Sequence, residues 1–287
     1  MKIGIIYPQT ELKGDPNAVR LIGLEAEKLG FDHLLTYDHV LGATHDREPK
    51  LTGPYTEKEP FHDPFVMFSY LAGITQRIEF VAGVIILPQR QTVLVARQAA
   101  DVDLLSGQRL RLGVGVGWNY VEYDAMGQDF HVRGQRVAEQ IELLRTLWTQ
   151  RLVDFKGKFD HIDRAALNPR PKRSIPIWIG GFADVSLRRA AAVGDGFICV
   201  DGAVDAFEQA GKLMQYLKEA GRPTEGFGLH CNMLRAKSIA QVVETASRWR
   251  DFGGTHASVV TMGKGFTSVE QHIDYMRQVA DAVRGNF

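Results

Sequence analysis

The chain has 287 residues, a length that fits two domains of ~150 residues or one α/β barrel of ~250 residues with insertions. Hydrophobic residues make up 45% and charged residues 24%, which excludes disordered, collagen-like and disulfide-scaffold classes. Lys plus Arg total 34 and Asp plus Glu total 34, so no global field draws the chain to nucleic acid or to an anionic membrane surface. The longest apolar run, Val81 to Leu87, falls far short of the ~20 residues of a membrane span, and no basic-then-apolar leader opens the chain. A cytoplasmic protein is expected. Cys199 and Cys231 sit in apolar runs without CxxC or CxxH spacing, as buried thiols do, and no HxH or HExxH pattern points to a metal.

Eight runs rich in apolar and β-branched residues read as strands: 3–7, 32–37, 78–87, 110–116, 175–179, 195–200, 227–233 and 256–261. Several are apolar at successive positions, the pattern of a parallel sheet covered on both faces. Between them lie segments of helical period, carried by Val19, Ile22, Ala26 and Leu29, then Val137, Ile141, Leu144 and Trp148. Phe207, Ala210, Met214 and Leu217 follow, and finally Val269, Ile273, Met276, Ala280 and Val283. Asp15-Pro16 and Asp63-Pro64 each place a capping acceptor before a proline suited to the first helical position. Thr267 and Glu270 have capping-box spacing, and Gly30 and Gly221 stand where a left-handed helix end is wanted. Eight β-then-α units without a linker predict one domain, 1–287, folded as a (β/α)8 TIM barrel; a doubly wound open sheet is the alternative.

Two stretches interrupt the alternation. Residues 41–62 carry Pro, Gly and charge without period and follow the second strand, so in a barrel they form a lid over the mouth. Residues 151–174, with a turn at Lys156-Gly157-Lys158, read as a β-hairpin leading into the fifth strand. The hairpin places Arg170, Lys172 and Arg173 toward the opposite end of the barrel, as a solvated basic loop.

In a parallel barrel the C-terminal strand ends share one mouth, and catalytic groups gather there. This chain places there Tyr7-Pro8-Gln9, Asp38-His39-Val40, Leu87-Pro88-Gln89-Arg90, Gly115-Val116-Gly117-Trp118-Asn119 and Gly180-Gly181. Asp38-His39 is the sharpest pair, a carboxylate beside an imidazole able to move a proton near neutral pH; histidine satisfied by loop carbonyls is the competing reading. Gly113, Gly115 and Gly117 do not spell a dinucleotide fingerprint. They suit either tight backbone packing or a flat ligand pressed against main chain. Gly180-Gly181 precedes a helix around 184–192, whose first amides and dipole suit a phosphate. Neither GxxxxGK[ST] nor GxSxG is present, so phosphoryl transfer and triad hydrolysis lack support.

These residues resemble the luciferase-like monooxygenase superfamily and, within it, the coenzyme F420-dependent oxidoreductases. The matching stretches are TYDHV at 36–40, VAGVIILPQRQTVLVARQAADVDLLSGQRLRLGVGVGW at 81–118, an E-x-x-A-x-G-x-x-F pattern at 122–130, and PIWIGGFADVSLRRAAAVGDGF at 176–197. The resemblance implies a deazaflavin or flavin at the barrel mouth, backed by a non-proline cis peptide at Gly83–Val84. It implies Asp38 at the cofactor ring, His39 as acid or base at the hydride-transfer centre, Val116, Gly117 and Trp118 along the ring and its side chain, and Gly180 and Gly181 at the phosphate. A homodimer is likewise implied.

The departures from the family also carry information. Sugar-phosphate dehydrogenases of this type have a glutamate at the position of Trp118 and a tryptophan where this chain has Leu41, Gly42 and Ala43, which argues against a sugar-6-phosphate substrate. Trp118, Tyr120 and Tyr123 suggest an apolar or aromatic pocket wall, or else packing at the barrel rim. The expectation is an F420-dependent oxidoreductase passing a hydride between deazaflavin and a small enone, quinone, carbonyl or alcohol. An FMN-dependent monooxygenase served by a separate reductase, and a non-catalytic flavin-binding relative, are the alternatives.

Overall fold

The computed structural model describes residues 1–202 and 204–284; the last three residues of the expected domain lie outside them. In chain order the elements are β1 (Lys2–Ile6), α1 (Pro16–Lys28), β2 (His33–Thr36), α2 (Pro64–Ala72), β3 (Glu79–Ile86), α3 (Thr92–Leu105) and β4 (Leu110–Gly115). There follow α4 (Tyr120–Ala125), α5 (Arg133–Thr149), β5 (Val153–Lys156), β6 (His161–Ala165), β7 (Ile177–Gly180), α6 (Asp184–Val193) and β8 (Gly196–Asp201). The chain closes with α7 (Ala206–Glu219), β9 (Gly228–Met233), α8 (Ile239–Phe252), β10 (His256–Val260) and α9 (Val269–Val283). Eight parallel strands close into a barrel in the order β1-β2-β3-β4-β7-β8-β9-β10, with β10 pairing back onto β1 from Lys2↔His256 to Ile6↔Val260. Each of the eight expected runs supplies one barrel strand. The antiparallel pair β5–β6 is the expected hairpin.

The strands are buried on both faces, as the continuous apolar runs require: every residue of β2, β4, β7 and β9 is buried. Asp15 and Asp63 cap α1 and α2 as expected, accepting from Asn17 N at 2.9 Å and from Phe65 N at 2.9 Å. At α9 the sequence-based cap is corrected by one residue. Ser268 is the N-cap rather than Thr267, and Gln271 rather than Glu270 reaches back to it, because Gln271 Oε1 can accept from Thr267 N at 2.7 Å and Ser268 N at 3.2 Å together. The basic run lies at the N-terminal end of the barrel, but Arg173 is not simply solvated. Its guanidinium holds the buried Asp103 at 2.7 Å and the Leu110 carbonyl at 2.7 Å, so a charge needed inside the protein draws it in.

The barrel interior has two storeys. At the N-terminal end, Arg111 Nη2 donates to Glu79 Oε2 at 2.8 Å and Nη1 to His230 Nδ1 at 3.3 Å, while the guanidinium lies 4.3 Å over the Trp178 ring. A nitrogen that accepts from arginine leaves His230 with its proton on Nε2, which meets Ser258 Oγ at 2.7 Å; Ser258 in turn bonds His33 Nε2 at 2.8 Å. Burial, with Arg111 as the next cause, pushes His33 and His230 far below the usual imidazole range and His256 down to about 2. Gly228 makes this packing possible, since a Cβ there would fall 1.9 Å from Trp178 Cζ2. Above this polar layer lies an apolar one of Ile6, Leu35, Val81, Trp178 and Ile198, onto which Tyr37, Val84, Leu234, Val260 and Met262 pack as the floor of the mouth.

Candidate active site

Strand alternation decides the roles of the two residues that end the TYDHV stretch. His33 and Leu35 face the barrel interior, so Tyr37 does too, and Asp38 faces outward toward the helices. Asp38 is 2% exposed. Its Oδ1 accepts from Arg90 Nη2 at 2.6 Å and its Oδ2 from Ile86 N at 2.9 Å. Arg90 Nη2 also reaches Asp63 Oδ2 at 3.0 Å, joining the end of β2, the end of β3 and the start of α2. Burial pushes the Asp38 carboxyl up, against the pull of Arg90 and the Ile86 amide, while Asp38 and Asp63 hold the Arg90 guanidinium above its ordinary value in spite of burial. The aspartate expected at a cofactor ring is thus enclosed and saturated by its own protein, and it orients the strand ends that form the mouth.

His39 follows it and belongs to the mouth. Its Nδ1 lies 3.2 Å from Glu122 Oε2. The other oxygen of Glu122 accepts from Leu41 N at 3.1 Å and from Val40 N in a very short bond. Burial works against ionisation of Glu122, but the bonds from His39, Leu41 and Val40 outweigh it and hold this carboxyl below the usual range. Three aromatic rings meet His39 edge-on: Phe61 at 4.8 Å, Tyr55 at 5.4 Å and Trp118 at 5.6 Å between centroids. Tyr55 and Phe61 belong to the 41–62 insertion, which therefore folds over the mouth as expected. Tyr120 pins the same segment by donating to the Pro49 carbonyl.

On the neighbouring strands, the peptide Gly83–Val84 is cis. Val84 lies across two glycines: a Cβ on Gly115 would fall 2.5 Å from Val84 Cγ2, and one on Gly180 would fall 2.6 Å from Val84 Cγ1. Gly113 likewise makes room for the Ala82 carbonyl. The glycines of β4 and β7 are thus explained by packing, and the Val84 side chain that they seat is itself only partly buried. Gly117 has φ 63°, a conformation that favours glycine, and it turns the chain from Val116 into Trp118. Gly181, at φ 147°, leads into α6, whose N-cap Ala183 has no side chain able to satisfy the first amides. On β9, Asn232 stands two residues after the inward His230 and so points into the barrel. It is 0% exposed, and among the described residues neither atom of its side-chain amide has a partner.

His39 and Trp118 are brought together by the fold, and Val84, Gly115 and Gly180 form one ledge beside them through the shared end of β4. Tyr123 is a packing residue, donating to the Val116 carbonyl at 2.7 Å, whereas Trp118 alone of the three suggested aromatics walls the site. Glu122 opens the E-x-x-A-x-G-x-x-F stretch, but nothing in that pattern pointed to a contact with His39. The spacing Asn119-x-x-Glu122 resembles a capping box, and Asn119 does cap α4, accepting from Val121 N at 3.1 Å; the glutamate, however, turns away to the histidine loop. Asn232 was likewise hidden inside an apolar run.

A family model described as luciferase-like monooxygenase matches residues 1–278. An uncharacterised protein of Mycobacterium bovis is 33% identical over 80% of this chain and 80% of its own. An F420-dependent glucose-6-phosphate dehydrogenase of Amycolatopsis mediterranei is 30% identical over 78% of this chain and 65% of its own. A pyrimidine monooxygenase, RutA, of Allorhizobium ampelinum is 31% identical over 58% of this chain and 47% of its own. Among solved structures, a monooxygenase from Streptomyces bottropensis superposes with a TM-score of 0.82 at 19% identity, covering 100% of this chain and 99% of the other. An F420-dependent secondary alcohol dehydrogenase in complex with an F420-acetone adduct gives 0.78 at 17% identity, covering 99% of each chain, and these two likenesses speak for the fold. A barrel with an imidazole poised at its lidded mouth, together with a family match along nearly the whole chain, makes this protein an oxidoreductase belonging to the luciferase-like monooxygenase family.

Proposed function

We propose that the protein is a coenzyme F420-dependent oxidoreductase acting on a small, neutral, largely apolar substrate of the enone, quinone, carbonyl or alcohol type. The observation that carries this reading is His39. Its Nδ1 is engaged by Glu122, and its Nε2 makes no hydrogen bond among the described residues and is not one of the sealed ring nitrogens. A basic nitrogen is thereby left at the mouth for proton transfer.

The residues present fit a flat cofactor with a phosphate-bearing tail. Val84 supplies an apolar face, the unpartnered Asn232 amide a polar contact beneath it, and the uncapped start of α6 after Gly180-Gly181 a place for phosphate. Trp118 and Val116 would border it. When bound, the deazaflavin supplies or accepts the hydride. The chain's own part is the proton. In reduction of a carbonyl, His39 in its protonated form would give a proton to the substrate oxygen, and in alcohol oxidation its Nε2 would take the hydroxyl proton. Phe61, Tyr55 and Trp118 exclude water and prefer an apolar partner, while neither the glutamate nor the tryptophan of the sugar-phosphate enzymes is present.

We propose further that the protein works as a homodimer. Val66 and Tyr70 on one face of α2, and Val93 and Leu94 at the start of the adjacent α3, are exposed apolar side chains that a second copy would cover.

Parallel titration of the apo-protein with coenzyme F420 and with FMN, followed by fluorescence quenching, tests the cofactor. Tight binding of F420 with weak binding of FMN is expected. A preference for FMN would move the protein to the oxygen-using branch and remove the proposed role of His39.

A further inference from the structure

Glu122 is fully enclosed, comes from an element 83 residues away from His39, and spends both oxygens on a single loop. Its Oε2 meets the ring of His39, and its Oε1 takes the amides of Val40, just before the lid, and Leu41, its first residue. Asn119, one turn earlier, donates from Nδ2 to the Leu41 carbonyl at 3.3 Å, so the start of α4 grips the root of the lid by both its N–H and its C=O groups. Such a cluster exceeds what a surface loop needs for anchoring, since Val40 and Leu41 are themselves 39% and 48% exposed.

We propose that Glu122 is a positioning residue for the proton transfer: it fixes His39 in the tautomer with hydrogen on Nδ1, and through the same carboxylate it ties the ring's orientation to the seating of the lid. The assignment rests on the reading of His39 as the proton-handling group. An ionised carboxylate accepts and cannot donate, so the ring nitrogen facing it must carry the hydrogen, and the lone pair of the neutral ring falls on Nε2, the nitrogen left for the substrate. Bonds from His39 and two amides keep Glu122 ionised in spite of burial. The other groups around the ring, Tyr55, Phe61 and Trp118, meet it as rings rather than through hydrogen bonds, so none competes to set the tautomer. A ring free to take the opposite tautomer would present N–H to the mouth and lose its capacity as a base.

Nitrogen NMR of the apo-protein with isotope-labelled histidine, at about pH 9 where imidazoles are neutral, reads the tautomer without cofactor or substrate. The His39 signals are assigned by their loss in His39→Ala. In the unmodified protein the proton is expected on Nδ1. In Glu122→Gln the amide oxygen can still accept from Val40 and Leu41 while its NH2 faces the ring, so the proton should move to Nε2 with both backbone amides still protected from exchange. In Glu122→Ala that protection should be lost as well. A proton on Nε2 in the unmodified protein, or an unchanged tautomer in Glu122→Gln, overturns the proposal. The first of these needs no variant to fold, and neither depends on which cofactor binds, so failure here is separate from failure of the F420 titration.

Discussion

Gly53 lies flat on the indole of Trp118, so close that a Cβ at Gly53 would fall 2.3 Å from Cζ3 of the ring. The lid is therefore seated through a glycine on the residue that walls the site. Gly53→Val should lift residues 41–62, speed trypsin cleavage at Arg47, Lys50 and Lys58 several-fold, and shift Trp118 emission toward that of a solvated indole. An unchanged cleavage rate would show that the lid is held elsewhere.

His39→Ala removes the group assigned to proton transfer but no strand contact. Turnover should fall by about 10²- to 10⁴-fold, the usual share of a general acid or base, with thermal stability little changed. Full activity in the variant would leave the proton role without a residue.

Asp38 and Arg90 form a buried pair, and removing one partner strands the other. Arg90→Met should cost about 3–5 kcal/mol in urea unfolding, because it leaves Asp38 enclosed with the Ile86 amide as its remaining donor. Asp38→Leu combined with Arg90→Met should recover much of that loss. A single variant as stable as the parent protein would contradict the arrangement.

The enclosed histidines set an acid limit. His33, His230 and His256 take protons in the unfolded chain near the ordinary value of about 6.5, but in the folded barrel only far below it. Between those values the unfolded state binds more protons, so stability is complete above about pH 6.5 and declines as pH falls. The slope reaches up to about 1.4 kcal/mol per pH unit for each group. His272, held near 4 by burial, adds to the loss down to that pH. Urea midpoints should stay nearly level from pH 7.5 to about 6.5 and fall steadily from there to pH 5; a flat profile throughout would mean that these rings take up protons in the native state.

Gly180→Ala tests the ledge. The new methyl meets Val84 Cγ1 at 2.6 Å with strand backbone behind it, so a loss of about 1–3 kcal/mol is expected, together with weaker cofactor binding. Normal affinity in a destabilised variant would separate the ledge from the binding surface.

The barrel was legible because its strands are short continuous apolar runs set off by capping and breaking residues, and both signals are local. The hairpin and the lid were legible for the same reason, as the places where period fails. What the chain order hid was direction. That Asp38 faces outward and His39 the mouth follows from strand alternation only once the phase is fixed by His33 and Leu35 inside the barrel. The glycines of β4 suited either tight packing or a flat ligand, and the choice became visible only when the neighbouring strand placed the Ala82 carbonyl against Gly113 and Val84 against Gly115. Glu122 had a local explanation, the capping box with Asn119, that concealed its contact across 83 residues. Asn232, an amide in an apolar run, becomes meaningful only because nothing among the described residues satisfies it.

The polar layer of Arg111, His230, Ser258 and His33 closes the N-terminal end of the barrel with a hydrogen-bonded network whose imidazoles take up protons only well below their usual range. On the proposed reading, the proton that His39 handles exchanges with solvent at the mouth, so the segment 41–62 that packs Tyr55 and Phe61 against the ring also stands across its path to water.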